Sequence, residues 1–237
     1  MSEAPKANPL PAFADAKERA RINGLHARNG VVLIDPQATY IDAGVRIGAG
    51  TVIYPGNVLE GRTAVGAGCT LLPNNRLRDT TVADGVTLES VVAIEAEVGE
   101  GTTVGPFAYL RHGCKVGARC RIGDFVEIKN STVGDETRIS HLTYVGDSDL
   151  GRDINLGCGV VFVNYDGKKK HRTRVEDHAF IGCNVNLISP VRVGREAYVA
   201  AGSTVTEDVP DAALCIARER QVVKPGWVEA RKKAGKL

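Results

Sequence analysis

From Ile47 onward an aliphatic residue returns at every sixth position, and this repeat narrows the possible folds more than any other feature of the chain. Ile47, Ile53, Leu59, Val65, Leu71 and Leu77 open the series, and a five-residue step restarts it at Val82 and Leu88. After an irregular stretch it resumes at Val98, Val104, Leu110, Val116, Ile122 and Ile128. Further five-residue steps lead to Val133, Ile139 and Val145, then to Leu150, Leu156 and Phe162. After a break the series closes with Val175, Ile181, Leu187, Val193, Val199 and Val205. Glycine follows many of these residues directly, as in Ile47-Gly48, Val116-Gly117 and Ile181-Gly182.

A period of six matches neither the helical period of about 3.6 nor the two-residue alternation of a long strand. It fits a short strand with one aliphatic pointing inward, followed by a sharp turn. The Gly, Asp, Asn or Ala beside the aliphatic takes a turn conformation that larger side chains resist. Three such units close a triangular coil of roughly 18 residues, and coils stack at the parallel-strand spacing of roughly 4.8 Å. Each inward aliphatic then lands on another. Between Ile47 and Thr206 this predicts about nine coils of an all-β parallel β-helix. Composition agrees: aromatics are only 5% of the chain and glycines number 27, so Val, Ile and Gly must carry the packing.

Three segments escape the repeat. Residues 1–30 read as a tail and helical arm: a Pro-rich, loose stretch over residues 1–11, then an Ala- and charge-rich helix over Phe13–Arg28, weakened by Gly24 and too polar for a core helix. The β-helix domain is expected over residues 31–208 and an extended C-terminal tail over 209–237, with a frayed basic turn from Val228 onward. Inside the domain, Val163 to Arg174 (VNYDGKKKHRTR) cannot sit in a coil wall and should project as a loop, where binding residues tend to collect.

Several function classes lose ground on composition. A net charge of +2 gives no general attraction to nucleic acid. The two basic clusters, Lys168–Arg174 and Arg231–Lys236, lack interleaved aromatics, so they read as solvated surface or as phosphate sites. The six cysteines form no CxxC pair, the first ten residues lack an apolar leader core, and no apolar run approaches a membrane span. A reduced cytoplasmic setting, no membrane and no nucleic-acid partner are the expectations.

The segments FVEIKNSTVG, HLTYVGD, NYDGKKKH, AAGSTVTEDVP and IARERQ, with LIDPQATYIDAGVRIG and VGPFAYLRHG upstream, resemble a bacterial bifunctional enzyme. That enzyme is both N-acetylglucosamine-1-phosphate uridylyltransferase and glucosamine-1-phosphate N-acetyltransferase, and the likeness is to its C-terminal acetyltransferase half. It runs from about Ala20 to Trp227, and it implies a left-handed coil, which the spacing itself does not give. Too few residues precede residue 30 for the uridylyltransferase half, so the resemblance implies a free-standing acetyltransferase.

The resemblance also assigns residues. His141, in HLTY, matches the general base, and an imidazole suits proton removal from an amine near neutral pH. Arg111, Lys129, Tyr144, Asn155 and Lys170 match the amino-sugar-phosphate contacts. Fixed cations suit the phosphate, and neutral partners suit the hydroxyls. Glu127 is placed to pair with a cationic neighbour. Asn164, Tyr165, Ala201 and Arg218 match acetyl-CoA contacts. Cys158 and Cys183 stand at the same cofactor channel, where the family usually has Ala and Ser. Both side chains are small, so a CoA channel survives, but Cys183 is a weak donor where a hydroxyl is a strong one. A homotrimer, with loop and tail donated between subunits, is implied as well. No metal is expected: His112, His141 and His178 lack the spacing of a β-helix zinc site. The competing readings are acyl transfer to another amino sugar and a non-catalytic trimeric scaffold.

Overall fold

The computed structural model describes residues 12–237, so the loose stretch expected over residues 1–11 lies outside the described residues. Among the described residues thirty short parallel strands form three sheets of 11, 10 and 9 strands, and each strand pairs with the one three places along the chain, except that the twenty-eighth pairs with the thirtieth. Three strands therefore make one coil of a triangular prism. The 10-stranded second face counts ten coils.

The inward ladder is the one the repeat predicts. On the first face Leu71, Leu88, Val104, Ile122, Ile139, Leu156, Ile181 and Val199 stack in register. Leu110, Ile128 and Val145 do the same on the second face, and Val116, Val133, Leu150 and Val175 on the third. Almost all of these side chains are buried, and each is worth roughly 1.5–3 kcal/mol of hydrophobic stabilisation.

The ladder also reaches further than the six-residue count. The irregular stretch between Leu88 and Val98 is a complete strand, Val92–Ile94, whose Ala93 is buried and in register with Leu77 and Leu110. Five-residue steps on both sides and a small side chain hide it from an aliphatic count. Coils begin upstream at Val32–Leu33 and Tyr40–Ile41, and Leu214–Cys215 adds a last strand beside Tyr198–Val199.

Hydroxyls and amides at the corners tie coil to coil. Asn75 Nδ2 donates to Asn57 Oδ1 at 2.9 Å, and Thr102 Oγ1 accepts from the Cys120 amide at 2.9 Å. Gly182 is a case where only glycine fits: a Cβ there would lie 2.5 Å from the Ala201 nitrogen of the next coil.

Helix α1 (Ala16–Arg28) closes the N-terminal end of the prism. Asp15 caps it by accepting from the Glu18 amide at 2.8 Å. The helix is polar overall, yet it buries Ile22, Asn23 and His26. Asn23 Nδ2 donates to the Pro36 and Thr39 carbonyls. It is thus the cover that a solenoid end requires. At the other end the chain leaves the prism after Ala217, whose carbonyl accepts from the Thr204 amide and whose amide donates to Ser203 Oγ, both at 3.1 Å, and every residue from Ile216 to Leu237 is exposed. In place of a frayed turn, Trp227–Lys233 forms a two-turn helix, α2, with Arg231 over the Trp227 ring at 5.0 Å. No helix among the described residues is long and apolar enough to cross a membrane.

Candidate active site

Two residues past each inward side chain of the first face, the chain turns a corner. Extending the register of Ile122, Ile139, Leu156, Ile181 and Val199 by two residues stacks Asp124, His141, Cys158, Cys183 and Ala201 along one edge. The Cys158 carbonyl accepts from Asn184 and the Cys183 carbonyl from Gly202, both at 2.8 Å, which holds this stack together. Four residues expected to serve catalysis or acetyl-CoA thus share one column of small side chains headed by a histidine.

His141 ends the strand Arg138–His141, and Leu142 turns the chain with φ 46°. Its Cα partner is Asp124, and His141 Nδ1 lies 2.5 Å from Asp124 Oδ1. The imidazole holds the Asp124 carboxyl below its ordinary range. With that carboxylate ionised, Nδ1 is the donor, so the neutral form of the ring carries its lone pair on Nε2. The ring is half exposed, at 52%, so Nε2 can meet an incoming proton.

Around the corner, the second face carries the cations. Arg111 Nη1 lies 2.7 Å from Glu127 Oε1, and this bond raises the Arg111 pKa. Lys129 ends the strand Glu127–Lys129, in register with Gly146. A Cβ on Gly146 would fall onto the Tyr144 hydroxyl and within 2.6 Å of Asn164 Nδ2. The missing side chain is therefore what lets Tyr144 fold over the face and accept from Asn164 Nδ2 at 3.3 Å. The Lys170 ammonium beside Lys129 holds it below the ordinary lysine range, with partial burial adding to the effect.

Lys170 reaches this cluster from the projecting segment between Val161–Val163 and Thr173–Val175. That segment is a closed hairpin. Tyr165 bridges to Lys170, and the His171 amide donates to the Asn164 carbonyl at 2.9 Å. Asp166 accepts from the Lys168 and Lys169 amides at 2.8 Å and pairs with His171 Nε2 at 2.7 Å. These bonds, the His171 contact first, bring the Asp166 carboxyl down to about 2. Arg172 clamps the far stem onto Asp149, with bonds of 2.6 and 3.0 Å.

The structure therefore brings Arg111, Lys129, Tyr144, Asn164 and Lys170 into one network. Asn155 lies elsewhere, on the first face, in register with Arg138 and Phe180. Tyr165 is exposed on the hairpin, and Arg218 is exposed beside Gly202 at the start of the tail. All six cysteines are free; Cys183 is exposed and Cys158 partly so. Cys114 and Cys120 are buried, and burial pushes the Cys114 thiol up to about 12. Among the described residues no group of three His, Cys, Asp or Glu side chains gathers as a metal site.

Two members of the site escaped the residue-by-residue reading. Asp124 pairs with a histidine 17 residues later, a separation of one coil. Asp147, the last residue of HLTYVGD, accepts from Asn130 Nδ2 at 2.6 Å and Asn164 Nδ2 at 2.5 Å, with Lys129 Nζ at 4.0 Å. A search for acidic residues one coil from each candidate base would have found the first.

The bacterial transferase hexapeptide pattern (six repeats) matches residues 95–130 and 172–207. The chain is 53% identical over 218 residues to the bifunctional protein GlmU of Clostridium botulinum, covering 92% of this chain and 48% of the relative. It is 56% identical over 211 residues to the bifunctional protein GlmU of Clostridium acetobutylicum, covering 89% and 46%. The chain thus spans about half the length of the curated relatives it matches. Among solved structures, the UDP-N-acetylglucosamine acyltransferase of Francisella novicida superposes with a TM-score of 0.57 at 16% identity, covering 87% of this chain and 74% of that one. That of Campylobacter jejuni superposes at 0.54 with 18% identity, covering 83% and 76%. At such identities these two likenesses speak for the fold alone. The chain is a left-handed parallel β-helix of transferase hexapeptide repeats that resembles the acetyltransferase half of the bifunctional GlmU proteins.

Proposed function

We propose that the protein moves an acetyl group from acetyl-CoA to the amine of glucosamine 1-phosphate. The observation that carries this reading is the pairing, on the two edges of the second face, of a carboxylate-backed histidine at one edge with a three-cation cluster beside the other. His141 rests on Asp124, and Arg111, Lys129 and Lys170 stand on the adjoining face and its hairpin. The 53% identity to a GlmU protein supports it.

In this reading Arg111, Lys129 and Lys170 take the phosphate, Tyr144 takes a hydroxyl or the acyl oxygen, and Asn155, on the first face, does so across the trimer from a neighbouring subunit. The pantetheine arm lies along the column of Cys158, Cys183 and Ala201. Asn164 and Tyr165 flank it from a neighbouring subunit's hairpin, and Arg218 meets a CoA phosphate. His141 Nε2 accepts a proton from the sugar ammonium. The freed amine bonds to the thioester carbonyl carbon, the carbon–sulfur bond breaks, and the thiolate leaves with a proton. Asp124 holds the proton on Nδ1, so Nε2 is the nitrogen that accepts, and the carboxylate faces the imidazolium that forms. In a homotrimer the hairpin and the exposed tail of each subunit complete the site of a neighbour. Six free cysteines suit a reducing, cytoplasmic setting.

A panel of acceptors tests the assignment. Free CoA is measured under reducing conditions with glucosamine 1-phosphate, glucosamine 6-phosphate, free glucosamine and nucleotide-linked amino sugars. Glucosamine 1-phosphate is expected to have the highest kcat/KM. Faster turnover of a nucleotide-linked amino sugar would move the assignment to that acceptor, and a well-folded trimer inert toward all of them would support a scaffold.

A further inference from the structure

Asp147 is the one buried carboxylate in a site made of cations. It is 5% exposed and sits at the corner between the second and third faces, with φ 49°. Continuing the register of Ile128, Val145 and Phe162 by two residues stacks Asn130, Asp147 and Asn164 in one column. The carboxylate lies between two amides: Asn130 Nδ2 donates to Oδ1 from the coil before, and Asn164 Nδ2 donates to Oδ2 from the coil after. Lys129 Nζ stands 4.0 Å from the same Oδ2. The Asp147 carbonyl accepts from the Thr173 amide at 3.3 Å, so one residue meets both feet of the hairpin, Asn164 at its start and Thr173 at its end.

Elementary electrostatics gives this arrangement a purpose. Lys129, Lys170 and Arg111 repel one another wherever no anion is bound. A buried negative charge beneath them lets them gather before the anion arrives. The same carboxylate fixes the hairpin foot from which Lys170 projects. An amide in its place has one acceptor oxygen and an NH2 that must face another NH2.

We propose that Asp147 is a positioning residue. By accepting from both Asn130 and Asn164 beside Lys129, it holds the cation cluster and the hairpin foot in the geometry that receives the phosphate of the amino sugar. It touches no reacting atom. This inference rests on the reading of the site as one for an amino-sugar phosphate, and the experiment separates the two.

Asp147→Asn, Lys129→Ala and their double variant are compared with wild type in steady-state kinetics. Glucosamine 1-phosphate binding is measured in parallel by calorimetry. Asp147→Asn is expected to raise the KM for glucosamine 1-phosphate about tenfold or more, with kcat within about threefold and the KM for acetyl-CoA less affected. In the Lys129→Ala background the same substitution should shift that KM by less than about threefold, because the partner through which it acts is gone. Additive shifts, or a loss confined to kcat, would overturn the proposal. Should Asp147→Asn fail to fold, Asn130→Ala keeps the charge and removes one of its two clamps. It should raise the same KM by a few fold, again less in the Lys129→Ala background, and no shift at all would overturn the proposal. If wild type binds glucosamine 1-phosphate without acetylating it, the reaction assignment falls and the calorimetric ratio of wild type to Asp147→Asn decides the positioning role: about tenfold upholds it, and no difference overturns it. A wild type that does not bind the sugar phosphate overturns both.

Discussion

Two histidines, His112 and His141, each rest on a carboxylate 17 residues earlier, through Nδ1, at 2.6 and 2.5 Å. Each stands two residues past an inward aliphatic, Leu110 in one case and Ile139 in the other. In isolation the two pairs are close to interchangeable. Their surroundings are not. His112 sits where the second face meets the third, and its side chain is 79% exposed. His141 sits where the first face meets the second, half exposed, below a column of small residues and around the corner from Lys129 and Tyr144. A coil of this kind makes histidine–carboxylate pairs readily, because any two residues one coil apart at a corner become neighbours. What turns His141 into the catalytic candidate is its frame, the column of small residues on its own edge with Tyr144 and Lys129 across the second face, whereas His112 stands in the column of Asn130, Asp147 and Asn164 at the other edge.

The sharpest way to break that comparison is to remove each ring. His141→Ala should lower kcat about 10²–10⁴-fold, the usual contribution of a general base. His112→Ala should leave kcat within about twofold. Equal losses would show that the surroundings do not distinguish the two pairs. A second test asks whether the frame is carried by the core. Phe162, fully buried, lies directly before the hairpin foot. Phe162→Ala should cost about 3–5 kcal/mol in urea unfolding and loosen the hairpin with it. A loss below about 1 kcal/mol would mean that the coil collapses around the cavity.

Asp124→Asn keeps a hydrogen-bonding partner for His141 and removes its charge. A fall of roughly tenfold in kcat is expected, smaller than that for His141→Ala because the base itself remains. An unchanged rate would reduce Asp124 to a wall residue. The hairpin offers a pH test. Its Asp166 carboxyl lies at about 2, below the ordinary 3.8. A depressed carboxyl contributes its stabilisation above its unfolded value and loses it as pH falls through the folded one. The clasp to Lys168, Lys169 and His171 should therefore be intact at pH 5 and weaken progressively between about pH 4 and pH 2. Carboxyl NMR reads this directly, and an Asp166 titration at or above the ordinary 3.8 would contradict it. The smallest effect belongs to the exposed pair: Glu95→Gln should change stability by no more than about 0.5 kcal/mol, since surface pairs are screened.

The coil and its core were legible because the inward positions are read one unit at a time: Ile122, Ile139 and Leu156 announce themselves by spacing alone. Ala93 did not, since a small residue between two shortened steps looks like an interruption. The site was legible only through resemblance. His141, Lys129 and Arg111 have no local signature that separates them from wall and surface residues such as His112 or Arg119. Asp124 and Asp147 gain their meaning from partners one coil away, at 17 residues, and that spacing has no chemical content until the coil length is known. The seven-residue α2 is held by little more than its own turns and the Trp227–Arg231 contact, so only a terminal turn could be expected there.

The central claim is that the edge headed by His141 acetylates an amine held by the cation cluster. The most direct measurement is mass-spectrometric identification of the product formed from acetyl-CoA and glucosamine 1-phosphate under reducing conditions, with wild type, His141→Ala and His112→Ala side by side. The account predicts one acetyl group on the sugar nitrogen for wild type and His112→Ala, and background for His141→Ala. A well-folded wild type that leaves the amine unmodified, or a His141→Ala variant that acetylates it at the wild-type rate, would contradict it.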